Sequence, residues 1–178
     1  MKLSDLVYFC SMNPKIRENT IQIASFDDTT VIGINSALPD YKLAWSLNHQ
    51  LSLDLVRYDD LEFEGAAYSF YYYTAGENCN VYNLVSLVRK NKVLFSFKPR
   101  IDYLFLVQNS ITAEHRLNLI QSIRAIDGIG HAFLLEKDNA MRQVLETIGD
   151  CEQKMIDKKK KLNNVNEVRK MMREQQAI

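Results

Sequence analysis

Between Leu61 and Val107 apolar residues return at every second position, whereas the segments on either side return at three and four. A chain with both periods must lay helices against a sheet. Leu61 and Phe63 alternate with Glu62 and Glu64, Gly65 marks a turn, and the aromatic run Tyr68–Tyr73 follows. Gly76-Glu77-Asn78 and Lys90-Asn91-Lys92 carry turn chemistry between the runs Val81–Val88 and Val93–Phe97. Links this short suit antiparallel hairpins. Ile101–Val107 is apolar at almost every position, which marks a central strand covered largely on both faces. Further strands are expected at Ile21–Ile23, Thr29–Ile34 and His131–Leu135.

Two helices interrupt the strands. Pro39 and Asp40 open the first, since proline is tolerated in the first turn and a carboxylate there complements the macrodipole. Leu43, Ala44, Leu47 and Leu51 form its inner stripe, with Tyr41, Trp45 and Asn48 on the adjoining flank and Trp45 expected against the sheet. Thr112 caps the second, Leu117, Ile120 and Ile123 form its stripe with Leu119 and Ile126, and Gly128 stops it. Strands in a run between two helices give an α+β class, a mainly antiparallel sheet with two helices on one face.

Residues 1–20 read as an N-terminal extension, 21–137 as the α+β domain and 138–178 as a helical, coiled-coil-like tail. In the tail Met141, Val144, Ile148, Cys151 and Met155, then Leu162, Val165 and Met172, follow three-four spacing, while Lys158 and Arg169 interrupt it. That pattern predicts a seam with a partner helix, in a homo-oligomer or with another protein, the alternatives being a helix folded back on its own domain or a frayed tail.

Lysine plus arginine and aspartate plus glutamate both number 22, so no net field steers nucleic acid or anionic membrane to the chain. No apolar run approaches the ~20 residues of a membrane span, and no membrane partner is expected. The start fits an export signal poorly, because Asp5 stands where basic residues belong. Cys10, Cys79 and Cys151 are far apart without metal or redox spacing, which fits a reducing cytoplasm.

No P-loop, dinucleotide fingerprint, nucleophile elbow, zinc motif or Cys-x-x-Cys occurs, so no catalytic, cofactor-binding or metal residue is expected. His49, His115 and His131 lie in three different elements. The acidic pairs Asp27-Asp28 and Asp59-Asp60 read as solvated loop acids. Asp102 is sharper: a carboxylate inside an apolar strand needs solvent, a helix N-terminus or a hydrogen-bonding partner. A fold-organising role is the leading reading for it, and a general base the alternative.

Tyr68, Phe70 and Tyr72 share one strand face, Phe95 and Phe97 alternate nearby, and Arg89, Lys90, Lys92, Lys98 and Arg100 surround them. Such rings could stack single-stranded nucleic acid, although aromatics also fill pleated, half-buried surfaces. The leading functional reading is a non-enzymatic protein-interaction or self-assembly module. The alternatives are single-stranded nucleic-acid binding on the aromatic face, and a small-molecule sensor or enzyme with a site near Asp102.

Asp40-Tyr41-Lys42-Leu43-Ala44-Trp45-Ser46-Leu47-Asn48, Asp59-Asp60-Leu61 and Ile101-Asp102-Tyr103-Leu104 together resemble the IPExxxVDY family. This is a small, functionally unassigned bacterial family, largely from the Bacteroidota. The likeness spans roughly residues 21–135. Ile101-Asp102-Tyr103 stands for the Val-Asp-Tyr half of the signature, and Phe95-Ser96-Phe97 stands where Ile-Pro-Glu would be expected. The resemblance implies a cytoplasmic bacterial α+β protein and carries over no catalytic or cofactor residue. Asp40, Tyr41, Leu43, Trp45, Asn48, Ile101, Asp102 and Tyr103 are then motif positions expected to serve structure.

Overall fold

The computed structural model describes residues 28–76, 79–90, 92–151, 153–154 and 157–158. The N-terminal extension, the strand expected at Ile21, Met155 and the tail from residue 159 onward lie outside the described residues.

β-Branched residues favour extended backbone, and Thr30–Ser36 forms β1, well inside a six-stranded sheet. The helix α1 (Asp40–Leu51) follows, then β2 (Val56–Arg57), β3 (Leu61–Phe63), β4 (Ala66–Tyr68) and β5 (Phe70–Thr74). Next come β6 (Val81–Ser86), β7 (Val88–Arg89), β8 (Lys92–Val93) and β9 (Tyr103–Gln108). α2 (Ala113–Arg124), β10 (Ile129–Leu134) and a third helix, α3 (139–151), complete the order. The main sheet runs β10-β1-β9-β6-β5-β2, with β3–β4 and β7–β8 as separate two-stranded ladders. Every pairing among the described residues is antiparallel. The protein is therefore α+β with a mainly antiparallel sheet.

Alternating directions along that order make β1 and β2 parallel, so α1 carries the chain past three strands. β9 and β10 are parallel too, and α2 carries the chain past β1. Neither link can be a hairpin, which is why the helices sit where they do in the sequence.

Successive residues of a strand point to opposite faces, and the sheet divides its side chains between two clusters. Ile32, Ile34, Leu84, Phe105 and Val107 pack with Leu43 and Leu47 of α1 and Ile120 and Ile123 of α2. Val31, Val85, Leu104 and Leu106 pack with Leu61, Tyr68 and Phe70 and with Met141, Val144 and Ile148 of α3. Hence the central strand reads as apolar at almost every position: both its faces are covered.

Thr112 Oγ1 accepts the His115 N–H at 3.2 Å and caps α2. Gly128, at φ +90°, turns the chain back where a Cβ would strike Leu38 at 2.9 Å. At the sheet edge Arg124 Nε donates to the Ala132 carbonyl at 2.7 Å, placing a cation across β10, a device that blunts edge-to-edge pairing.

Four expectations are corrected. Leu117 is 59% exposed, because Leu119, Ile120, Ile123 and Ile126 already fill the α2 side of the core. The strand expected at Val93–Phe97 shrinks to Lys92–Val93. Leu94 donates to the Leu87 carbonyl at 2.8 Å, and beyond it the chain leaves the ladder with Phe95 and Phe97 turned toward the second cluster. Met141, Val144, Ile148 and Cys151 are all under 8% exposed within the chain's own core, so the coiled-coil seam expected of them is already occupied. Cys79 is disulfide-bonded rather than an unlinked thiol, while Cys151 is a buried free thiol.

Candidate functional site

Asp102 has 8% of its surface exposed, and its carboxylate is fully engaged. Oδ2 accepts Asn35 Nδ2 at 2.7 Å and the Ser36 N–H at 3.1 Å, and Oδ1 accepts Arg100 Nε at 2.9 Å. Ser36 Oγ accepts the Leu38 N–H at 3.1 Å and donates to the Gly128 carbonyl at 2.7 Å. The neighbouring Tyr103 hydroxyl donates to the Leu38 carbonyl at 2.7 Å. The start of β9 thereby grips the link between β1 and α1, where the β1–β10 register slips between Asn35 and Ser36. Burial, with Asp40 and Asp102 adding negative charge nearby, pushes the Tyr103 hydroxyl up to about 12. The arrangement anchors a loop; its oxygens leave little capacity for a general base.

Asn48 works in the same way at the far end of α1. Its Nδ2 donates to the Leu55 carbonyl at 3.1 Å and its Oδ1 accepts the Leu55 N–H at 2.7 Å. Both bonds fold the chain back after Ser52, which takes the left-handed conformation at φ 54°.

A polar cluster lies under the first turn of α1. Arg57 Nη1 stands 3.5 Å from Asp40 Oδ2, and Arg57 Nη2 donates to Asp60 Oδ1 at 2.7 Å. Burial opposes ionisation of Asp40, yet Ser69, the Tyr41 N–H and the charges of Arg57 and Arg89 together hold its carboxyl below the usual range. Ser69 Oγ meets no full hydrogen-bond geometry although it faces this carboxylate. Burial first, and the Asp40 charge second, push the Tyr71 hydroxyl up. Arg57, Ser69 and Tyr71 were not legible as one group, because they come from β2, the β4–β5 link and β5.

The aromatic pair of α1 behaves differently from expectation. Trp45 is 70% exposed and Tyr41 61%, so neither ring lies against the sheet. They sit four residues apart on α1, and the Trp45 indole stacks on His49 with centroids 5.8 Å apart and planes 20° from parallel. Leu43, Ala44 and Leu47 supply the burial from this helix, and Ile101 is likewise buried. The outer surface of α1 is thus a ring row of Tyr41, Trp45 and His49.

The stacking platform expected on the strands does not form as one open face. Tyr68 and Phe70 are 2% and 1% exposed within the second cluster, and only Tyr72, Phe95 and Phe97 are partly open. Tyr58 packs against Phe70 and Tyr72, and Phe63 against Phe95. Among the described residues no group of three or more His, Cys, Asp and Glu side chains could hold a metal ion. No helix there is long and apolar enough to cross a membrane.

No protein-family model matches the chain, no curated protein is significantly similar to it, and no solved structure is either.

Proposed function

We propose that the protein is a non-enzymatic interaction module whose contact surface is the ring row of α1. The observation that carries this reading is the exposure of Trp45 and Tyr41 on consecutive turns of one well-anchored helix. Tryptophan and tyrosine supply most interface anchors, because a large rigid ring releases much water at little entropic cost. A lone exposed apolar residue needs no explanation, but two large rings four residues apart, with an imidazole stacked on one, form a contiguous patch. The clamp made by Asp102, Tyr103 and Asn48 fixes α1 at both ends, and so presents the patch rigidly.

The architecture behind this reading has α1 and α2 together on one face of the sheet, with α3 on the other. Right-handed crossovers past three strands and past one strand, in opposite directions, bring both helices to the same side. The resemblance to the IPExxxVDY family belongs to the proposal as well, with Val-Asp-Tyr serving the loop clamp. The single-stranded nucleic-acid alternative is less favoured, since Tyr68 and Phe70 are buried. An enzyme centred on Asp102 is less favoured, since its carboxylate oxygens already have protein partners. Cys79 is disulfide-bonded, whereas a reducing cytoplasm keeps thiols free, so cytoplasmic residence forms no part of the proposed role.

The test is affinity capture from the source cells with the wild-type chain and with Trp45→Ala and Tyr41→Ala, alongside sedimentation of each. Loss of the captured protein, or of self-association, in variants that melt like the wild type supports the reading. A wild-type chain that captures nothing and stays monomeric, or variants that bind undiminished, defeats it.

A further inference from the structure

The second cluster leaves a cleft of about 390 Å³ between the loop of Phe95, Ser96 and Phe97 and the first turns of α3. It falls at the small end of the range for ligand cavities. Its chemistry is uneven. Met141 and Val144, 3% and 6% exposed, and the partly buried rings of Phe95 and Phe97 make the apolar surface. The polar margin is acidic: among the described residues Glu136 and Asp138 line the cleft and no lysine or arginine does.

Those two carboxylates differ in what they are free to do. Asp138 Oδ1 accepts the Met141 N–H at 2.7 Å and caps α3, so its charge already answers that helix end. Glu136 is exposed, and among the described residues its carboxylate meets no cation. An anion entering the cleft would find the helix N-terminus occupied and a second carboxylate facing it. A neutral apolar molecule would gain only burial. An ammonium gains, beyond that burial, the charge of Glu136.

We propose that this cleft binds a small apolar amine. The ligand's hydrocarbon part lies against Met141 and Val144, and its ammonium group lies at the acidic margin beside Glu136. α3 belongs to the second cluster and α1 to the first, so the cleft is separate from the ring row and the two readings stand or fall independently.

The experiment titrates the full chain with three probes of one shape, 2-phenylethylamine, 2-phenylethanol and 3-phenylpropanoate, following the amide signals of Ala140, Met141 and Val144 by NMR. The amine should bind about two- to fivefold more tightly than the alcohol, the gain of one exposed ion pair, and the carboxylate should bind least. Glu136→Gln should reduce the amine to the alcohol's affinity and leave the alcohol unchanged. Ala140→Phe, at an exposed position lining the cleft, should block all three. The proposal is overturned if no probe moves these signals, if the alcohol or the acid matches the amine, or if Glu136→Gln keeps the preference. Should Ala140→Phe fail to fold, the three probes on the wild-type chain still decide.

Discussion

The carboxylate of Asp102 accepts the backbone N–H of Ser36 at 3.1 Å, across 66 positions of sequence. With Asn35 on the same oxygen and Arg100 on the other, it satisfies groups at the β1–α1 link that the sheet ladder leaves open. Asp102→Ala should therefore destabilise the fold by about 2–3 kcal/mol, the usual result of leaving a buried donor unpaired. Asp102→Asn, which keeps one acceptor, should lose about 1 kcal/mol. Urea midpoints measure both, and near-neutral effects would show that the link is held by other contacts.

Tyr103 makes a test in alkali. Its hydroxyl, pushed up to about 12 by burial and by Asp40 and Asp102, stays protonated in the folded state after the unfolded chain has begun to ionise near 10. The folded state then binds more protons, so stability falls as pH rises. The contribution is complete below about pH 10 and lost between about 10 and 12, amounting to about 2–3 kcal/mol at most. Tyr103→Phe should flatten that part of the profile, leaving the slopes due to Tyr71 and Tyr73, whose hydroxyls burial also raises. It should also lower stability at pH 7 by about 1 kcal/mol through loss of the bond to Leu38. Equal alkaline slopes in the two proteins would refute this account.

Trp45→Ala should change stability by no more than about 0.5 kcal/mol, the range for surface substitutions. A core tryptophan would lose about 3–5 kcal/mol. Trp45 is the chain's one tryptophan, so its emission should be that of a wet indole and should shift to the blue when the ring row is covered. A melting temperature lowered by many degrees would mean that the ring packs more closely than its 70% exposure indicates.

How much of this was legible differs by element. The alternation carried by β3, β5 and β6 and the Thr112 cap are local signals, and the structure keeps them. α2, by contrast, already ends at Arg124 with Ala125 as its cap, short of the expected stop at Gly128. Trp45 was legible too: at 100° per residue it falls about 145° from the centre of the Leu43, Ala44, Leu47 and Leu51 stripe. Its size suggested a core residue, but angle decides burial. The Asp102 partners were not legible, because Asn35 and Ser36 reach it only through the β1–β9 pairing. The Asp40, Arg57 and Ser69 group depends in the same way on strand order. α3 shows the limit of periodicity: three-four spacing gives an apolar stripe but not what it faces.

That last ambiguity yields the final prediction. Met141, Val144 and Ile148 fill one side of the second cluster against Val31, Leu104 and Leu106. Truncation after Asn139 would strip that cover and expose the strand residues to water. The truncated chain should melt well below the full chain and aggregate, where a separate dimerisation tail would leave a folded monomer. Ile148→Ala gives the milder version, a loss of about 2–4 kcal/mol for emptying a buried isoleucine. Thermal melts and size-exclusion profiles of the three proteins separate the outcomes. A truncated chain that melts like the full one would return α3 to the role of a free assembly helix. If it melts lower and Ile148→Ala follows in proportion, α3 is an integral part of the core.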